Sequence, residues 1–172
     1  ATAGVIWILV GQSGYMVFNN CHFDGTTGTP TIGIQATAVG SLKIENCEFL
    51  GGRHSGGFST AAIDILAGAA NGTQIKNNFI TADGIGIRTN AATTFAELGV
   101  CKDNRIISTG KAISDSSNTT GQMACINNLM ITETNNGSGT AYDLNVDFCI
   151  QNWLVSGGDN ETHRIPVDTD EA

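Results

Sequence analysis

A six-residue pattern recurs along this chain, and it limits what the chain can fold into. It reads as an apolar residue, any residue, Asn or a close relative, Cys or Asn, any residue, and an apolar residue. The copies are Phe18-Asn19-Asn20-Cys21-His22-Phe23, Ile44-Glu45-Asn46-Cys47-Glu48-Phe49 and Ile75-Lys76-Asn77-Asn78-Phe79-Ile80. They continue as Cys101-Lys102-Asp103-Asn104-Arg105-Ile106, Cys125-Ile126-Asn127-Asn128-Leu129-Met130 and Cys149-Ile150-Gln151-Asn152-Trp153-Leu154. The offsets are 26, 31, 26, 24 and 24 residues, so the chain is a degenerate repeat and must be read as one.

A second pattern lies between the copies, usually opened by Gly or Thr. It is seen in Thr31-Ile32-Gly33-Ile34, Ala62-Ile63-Asp64-Ile65, Gly84-Ile85-Gly86-Ile87, Ala112-Ile113-Ser114-Asp115 and Ala141-Tyr142-Asp143-Leu144. These are short strands of period 2. One such unit cannot bury its own apolar side, whereas stacked units can, with each strand paired to its counterpart in the next coil. The expected fold is all-β, a single-stranded right-handed parallel β-helix of about six coils. At ~4.8 Å per coil the rod is about 29 Å long. The β-helix is expected over residues 1–156. Residues 157–172 are expected to form a C-terminal tail that caps the rod or contacts a neighbouring subunit.

Stacking turns equivalent positions into columns. Phe18, Ile44, Ile75, Cys101, Cys125 and Cys149 form one inward column, and Phe23, Phe49, Ile80, Ile106, Met130 and Leu154 another. Between them run Asn20, Asn46, Asn77, Asp103, Asn127 and Gln151, beside Cys21, Cys47, Asn78, Asn104, Asn128 and Asn152. Asn tolerates the left-handed backbone of a sharp bend, and its amide can bond to the amides above and below. The five cysteines show no metal spacing. Cys101, Cys125 and Cys149 read as buried free thiols of the core.

Only 14% of the residues are charged, against about 25% in an ordinary soluble domain. The net charge is −8, and the eight Lys and Arg form no run. This disfavours nucleic acid and anionic membranes as partners. The apolar run Val5 to Val10 is too short to span a membrane and lacks the basic flank of a signal peptide. The chain opens on Ala, as a processed or truncated product would.

The residues give no catalytic or metal site and imply no cofactor. Asp64 and Asp143 share a column three coils apart, about 14 Å by strand spacing, beyond the 5–9.5 Å that paired glycosidase acids need. Glu45 and Glu48 flank one bend, with Lys76 and Phe79 as their equivalents one coil on. Asp83 and Asp115 read as turn residues. A loop constellation of Asp24, Glu48 and Arg53-His54 is the remaining enzymatic candidate. His22, His54 and His163 are dispersed, and His22 is expected to need no partner. The sequons at Asn71, Asn118, Asn136 and Asn160 are expected by chance in so Asn-rich a chain. A flat Thr face for ice is not expected, because the Thr residues fall in loops of unequal length. Polar loops are expected at Gly25–Thr29, Gly51–Thr60, Asn90–Thr94, Asp115–Gly121 and Asn135–Gly139.

One outward feature breaks the pattern. Beside the bend, Asn19/His22, Glu45/Glu48, Lys76/Phe79 and Lys102/Arg105 give way to Ile126/Leu129 and Ile150/Trp153. An exposed apolar patch of this kind marks an interface, unless the tail folds over it. Ile126, Leu129, Ile150 and Trp153 are therefore candidate contact residues. Trp7 is a further candidate, as part of the first strand, a cap or a second contact.

The Asn-Cys-x-Phe bends, the Gly-x-Ala-Ile strands and the Ala/Thr/Gly-rich loops resemble the β-helix repeat proteins of tailed bacteriophages. The resemblance covers Phe18 to Leu154, and Ile165-Pro166-Val167-Asp168-Thr169 resembles their short C-terminal tails. It implies a non-enzymatic virion part outside the particle, or otherwise an extracellular protein: a capsid decoration, fibre or spike component, homo-oligomeric and often trimeric, alone or with other virion proteins. The alternatives are a carbohydrate-active β-helix protein (a polysaccharide lyase or glycoside hydrolase, as in tailspikes) or a carbohydrate-binding module for a surface glycan.

Overall fold

The computed structural model describes residues 6–11, 14–37, 41–52, 54, 56–69, 72–94, 99–115, 123–132, 142–143, 149–156 and 162–164. The strands fall into successive sets of three. The first set is β1 (Ile6–Val10), β2 (Tyr15–Asn19) and β3 (His22–Asp24), and the second is β4 (Ile32–Ala36), β5 (Ser41–Glu45) and β6 (Glu48–Leu50). The third is β7 (Ala61–Ala69), β8 (Gln74–Lys76) and β9 (Phe79–Ala82), and the fourth is β10 (Ile85–Thr94), β11 (Gly99–Lys102) and β12 (Arg105–Ser108). Then come β13 (Ile113–Asp115), β14 (Met123–Ile126) and β15 (Leu129–Thr132), followed by β16 (Tyr142–Asp143), β17 (Cys149–Ile150) and β18 (Trp153–Ser156). A last strand, β19, covers Thr162–Arg164.

Each strand pairs in parallel with its counterpart one set on. This makes sheet A (β1-β4-β7-β10-β13-β16), sheet B (β2-β5-β8-β11-β14-β17) and sheet C (β3-β6-β9-β12-β15-β18, closed by β19). The molecule is thus an all-β parallel solenoid. Its regular body, β4 to β15, is about four turns long. That is fewer than the six the pattern implies: the first set is half open to solvent, and in the sixth the described parts of β16 and β17 are two residues each.

The bend between sheets B and C follows from its asparagines. Asn20, Asn46, Asn77, Asp103, Asn127 and Gln151 all have φ between 51° and 55°, or 56° at Asp103, the left-handed region that Asn visits at low cost. The next residue turns inward. Asn78 Nδ2 donates to Asn104 Oδ1 at 2.9 Å, Asn104 Nδ2 to Asn128 Oδ1 at 3.0 Å, and Asn128 Nδ2 to Asn152 Oδ1 at 2.9 Å. The second amide proton of each goes to a carbonyl one coil back: Ile44, Ile75, Cys101 and Cys125 for Asn78, Asn104, Asn128 and Asn152. The same Oδ1 atoms accept the backbone N–H of Cys47, Asn78, Asn104 and Asn128. The ladder is saturated, which is what permits polar groups in the interior.

Inside the bend lie the two apolar columns. Ile44, Ile75, Cys101 and Cys125 are buried, as are Phe23, Phe49, Ile80, Ile106 and Met130. Cys101 and Cys125 are buried as expected; the side chain of Cys149 lies outside the described residues. Burial pushes the Cys47 thiol above its ordinary pKa, which keeps it protonated and unreactive.

Sheet A departs from simple alternation. The amides of Gly86 and Ile87, adjacent in sequence, both donate to the next coil, at Lys111 O and Ala112 O. Two consecutive residues therefore face the core, as the joint burial of Ala62/Ile63 and Ala112/Ile113 shows. The residue after each Ile forms a further column: Leu9, Gln35, Asp64, Arg88 and Ser114 are in register, with Leu9 exposed and Gln35, Asp64 and Ser114 buried.

Two expected loops are not loops of the expected kind. Asn90–Thr94 belongs to β10 and pairs with β7 beyond a bulge, with Ala92 opposite Ala67 and Thr94 opposite Ala69. Extended pairing satisfies backbone groups that two adjacent loops would leave to water. In Gly51–Thr60, Phe58 turns inward and is fully buried. Its ring meets Trp7 edge-on at 6.0 Å and Phe49 at 6.3 Å. Glycines make the space, since a Cβ at Gly25 or Gly51 would sit 2.8 or 2.7 Å from the Phe58 ring. Asp115 is likewise the end of β13, opposite Thr89, and not a turn residue. The Asp115–Gly121 loop beyond Asp115 and all of Asn135–Gly139 lie outside the described residues.

Candidate functional site

The bend carries two outward columns, because the residues flanking its inward Asn must point away from the core. Strand register places Asn19, Glu45, Lys76, Lys102, Ile126 and Ile150 in one. It places His22, Glu48, Phe79, Arg105, Leu129 and Trp153 in the other. Ile126, Leu129, Ile150 and Trp153 are thus brought together as a two-by-two block across β14/β15 and β17/β18. Trp153 is 45% exposed. Ile126 and Leu129 are half-buried, and the Ile150 side chain lies outside the described residues. Next to the block, the Arg105 guanidinium lies 5.6 Å from the centroid of the Phe79 ring, so this apolar surface begins under a cation.

The tail meets this region at its edge. β19 runs antiparallel to β18, with Arg164 opposite Trp153, His163 opposite Leu154 and Thr162 opposite Val155. A reversed strand pairs with the last free edge of sheet C and blocks further parallel growth there. The described part of the tail extends the sheet sideways and leaves Trp153 open. Trp7 stands apart from the block: it lies in β1 of sheet A and packs on the core against Phe58.

The acidic candidates are each engaged by neighbouring groups. Asp24 Oδ1 accepts the Thr26 amide at 3.0 Å and also the Thr26 hydroxyl. These bonds hold the Asp24 carboxyl below the usual carboxylate range. Glu48 Oε2 lies 2.9 Å from His22 Nδ1, so His22, expected to stand alone, has a partner one coil away. Asp83 accepts the amides of His54 at 3.1 Å and Gly56 at 3.0 Å, which fixes the Gly51–Thr60 loop over the third coil. Arg53 lies outside the described residues. Among the described residues no group of three or more His, Cys, Asp or Glu is placed to hold a metal ion.

One polar group escaped the sequence reading. Asp64 is fully buried on sheet A. Its Oδ1 accepts Arg88 Nε at 2.7 Å, and its Oδ2 accepts Arg88 Nη2 at 2.8 Å and Gln35 Nε2 at 2.9 Å. The hydrogen bonds to Asp64 raise the Arg88 pKa above its ordinary value. The Arg88 side chain remains 30% exposed, so the fork is anchored at one side and open at the other. The register from Asp64 through Arg88 and Ser114 to Asp143 confirms the three-coil separation of the two aspartates. The signal for the pair was present: Gln35, Asp64 and Arg88 each follow the Ile of the second pattern.

Searches against family models, curated proteins and solved structures found no match.

Proposed function

We propose that the chain is a non-enzymatic structural protein that assembles laterally through the apolar block of its last coils, in keeping with an exterior component of a phage-like virion. The observation that carries this reading is the change along the outward columns from charged residues to Ile126, Leu129 and the half-exposed Trp153. Core-facing demands are the same in every coil, so they do not explain a change confined to the outer face. Large exposed apolar residues beside polar ones are what a subunit interface uses. The carboxylates Asp24, Glu48, Asp64 and Asp83 all make bonds that hold turns, coils or a loop together, which suits a scaffold. The resemblance to trimeric fibre and spike parts makes a homotrimer the expected state.

The test is the native mass of the purified chain by light scattering, alone and as Trp153→Asp. The expected result is an oligomer that dissociates in the variant with its β circular dichroism unchanged. A wild-type chain that is monodisperse as a monomer overturns the proposal.

A second reading, glycan binding without catalysis, is favoured by the Asp64-anchored Arg88 beside Ser114 on the outer face of sheet A. A fixed guanidinium suits the carboxylate of an acidic sugar. Binding of an oligouronate lost in Arg88→Met would support it, and no binding by the wild type would reject it.

A further inference from the structure

The inner ladder of the bend changes chemistry in two successive coils. Asn152, Asn128, Asn104 and Asn78 are joined from coil to coil by their amides. The next two positions of the same column are Cys47 and Cys21. They follow Asn46 and Asn20, which share the left-handed φ of the bend at 54° and 55°. Their neighbours are in register on both sides, Asn19 with Glu45 and His22 with Glu48. Backbone bonds close the two coils around the pair: Asn20 N–H donates to Glu45 O at 3.2 Å, and Glu48 N–H to Cys21 O at 2.9 Å.

The thiols do not replace the amides as they stand. Each donates within its own coil, Cys21 Sγ to Asn19 O at 3.6 Å and Cys47 Sγ to Glu45 O at 3.2 Å. The same placement suits a covalent bond. Strand stacking separates equivalent Cα atoms by ~4.8 Å, inside the span of about 4.4–6.8 Å that a disulfide bridges. Both thiols are free in this structure. Burial raises the Cys47 pKa, and the neighbouring Cys21 side chain adds to the rise. Cys101, Cys125 and Cys149 also stack, but they lie within strands of sheet B, where pairing fixes the spacing of side chains. Cys101 Sγ there accepts Asn104 Nδ2 at 3.3 Å. Cys21 and Cys47 lie between strands, where one Sγ can rotate to meet the other.

We infer that Cys21 and Cys47 form a disulfide that staples two successive coils, a covalent continuation of the asparagine ladder. The bond forms during folding, before burial silences the Cys47 thiol. The oxidant is a small disulfide such as oxidised glutathione. One cysteine thiolate attacks it, forms a mixed disulfide and releases one glutathione thiolate. The other cysteine thiolate then attacks the protein sulfur of that mixed disulfide and releases the second glutathione. The protein loses two protons and two electrons, and the oxidant becomes two thiols. Secreted and virion-surface proteins meet such oxidising surroundings, but the bond needs only the geometry of the bend.

The experiment refolds the reduced chain in a mixture of reduced and oxidised glutathione and counts thiols after denaturation. The count should fall from five to three, with the β circular dichroism intact. A tryptic digest should show the peptide that ends at Lys43, with Cys21, joined to residues 44–53, with Cys47. Reducing the bond should lower the Tm by on the order of 5–10 °C, and in Cys21→Ser the reductant should leave the Tm unchanged. Five thiols retained after refolding overturn the proposal, as does a link between other cysteines. A Cys21–Cys47 link whose reduction does not lower the Tm also overturns it, because the bond would then strain the coils rather than staple them. The thiol count and the digest of the wild type decide the matter even if Cys21→Ser fails to fold.

Discussion

Two columns of asparagine run side by side through the bend and do different work. The outer one, Asn20 to Gln151, is kept for its backbone: every member has a left-handed φ, and Asn20, Asn46, Asn77, Asn127 and Gln151 are exposed. The inner one, Asn78 to Asn152, is kept for its amides, which bond to backbone and to one another away from water. A residue type says little about its role until its side of the wall is known. The outer column answers to torsion, worth about 1–2 kcal/mol per residue. The inner one answers to hydrogen bonds that water cannot replace, worth about 1–3 kcal/mol for each group left unpaired.

Asn104→Ala should break the comparison most visibly. It strips partners from the Asn78 amide, the Asn78 side chain and the Ile75 carbonyl. Three stranded groups should cost about 4 kcal/mol, read from urea denaturation. A loss below about 1 kcal/mol would mean that water enters the ladder.

Arg88→Met asks whether buried polarity off the ladder behaves the same way. It leaves Asp64 buried with Gln35 as its remaining described partner, and should cost about 3 kcal/mol. The double variant with Asp64→Leu should recover most of that, since an apolar pair of similar volume replaces a charged one. If it does not, the pair is more than a local charge balance.

On the outer column the effects should be smaller and ordered by shape. Asn127→Val places a β-branched residue at φ 51° and should cost about 1–2 kcal/mol. Asn127→Gly at the same position should change stability by about 0.5 kcal/mol or less, because Gly adopts this region freely. Equal losses from Val and Gly would show that the hydrogen bond donated by Asn127 Nδ2 to Asp103 Oδ1, and not torsion, is what matters there.

The smallest expected effect is at Asp24. Its folded pKa lies below the unfolded value because Thr26 hydrogen-bonds the carboxylate. Its contribution is therefore present above the unfolded pKa and fades as pH falls through the folded one. Asp24→Asn should flatten the stability profile slightly on the acid side of about pH 4 and leave neutral pH almost unchanged.

These contrasts also mark how far the sequence could be read. The bend was legible because its Asn, Cys and Phe positions recur at near-constant offsets, so register and inward columns followed directly. The block of Ile126, Leu129, Ile150 and Trp153 was legible for the same reason: known register turns a change of residue type into a place on the surface. Phe58 was not legible. It sits in a polar loop outside both patterns, and only the glycines gathered from two successive coils, Gly25 and Gly51, show that its ring has somewhere to go. The Asp64–Arg88 pair was half legible, since its register was correct but its burial was not foreseen. Trp7 was given three roles by its sequence; in the structure it is part of the first strand, partly buried and packed against the core at Phe58.

By itself the sequence determined the repeat, the parallel stacking and the two kinds of bend residue, because these depend on periodicity and local torsion, which are written along the chain. The tertiary structure alone decided which loops turn inward, which acids are engaged and where the tail pairs. Those outcomes depend on contacts that no local pattern announces, such as Phe58 with Trp7, Asp64 with Arg88 and Trp153 opposite Arg164. Burial there is a property of the neighbours and not of the residue.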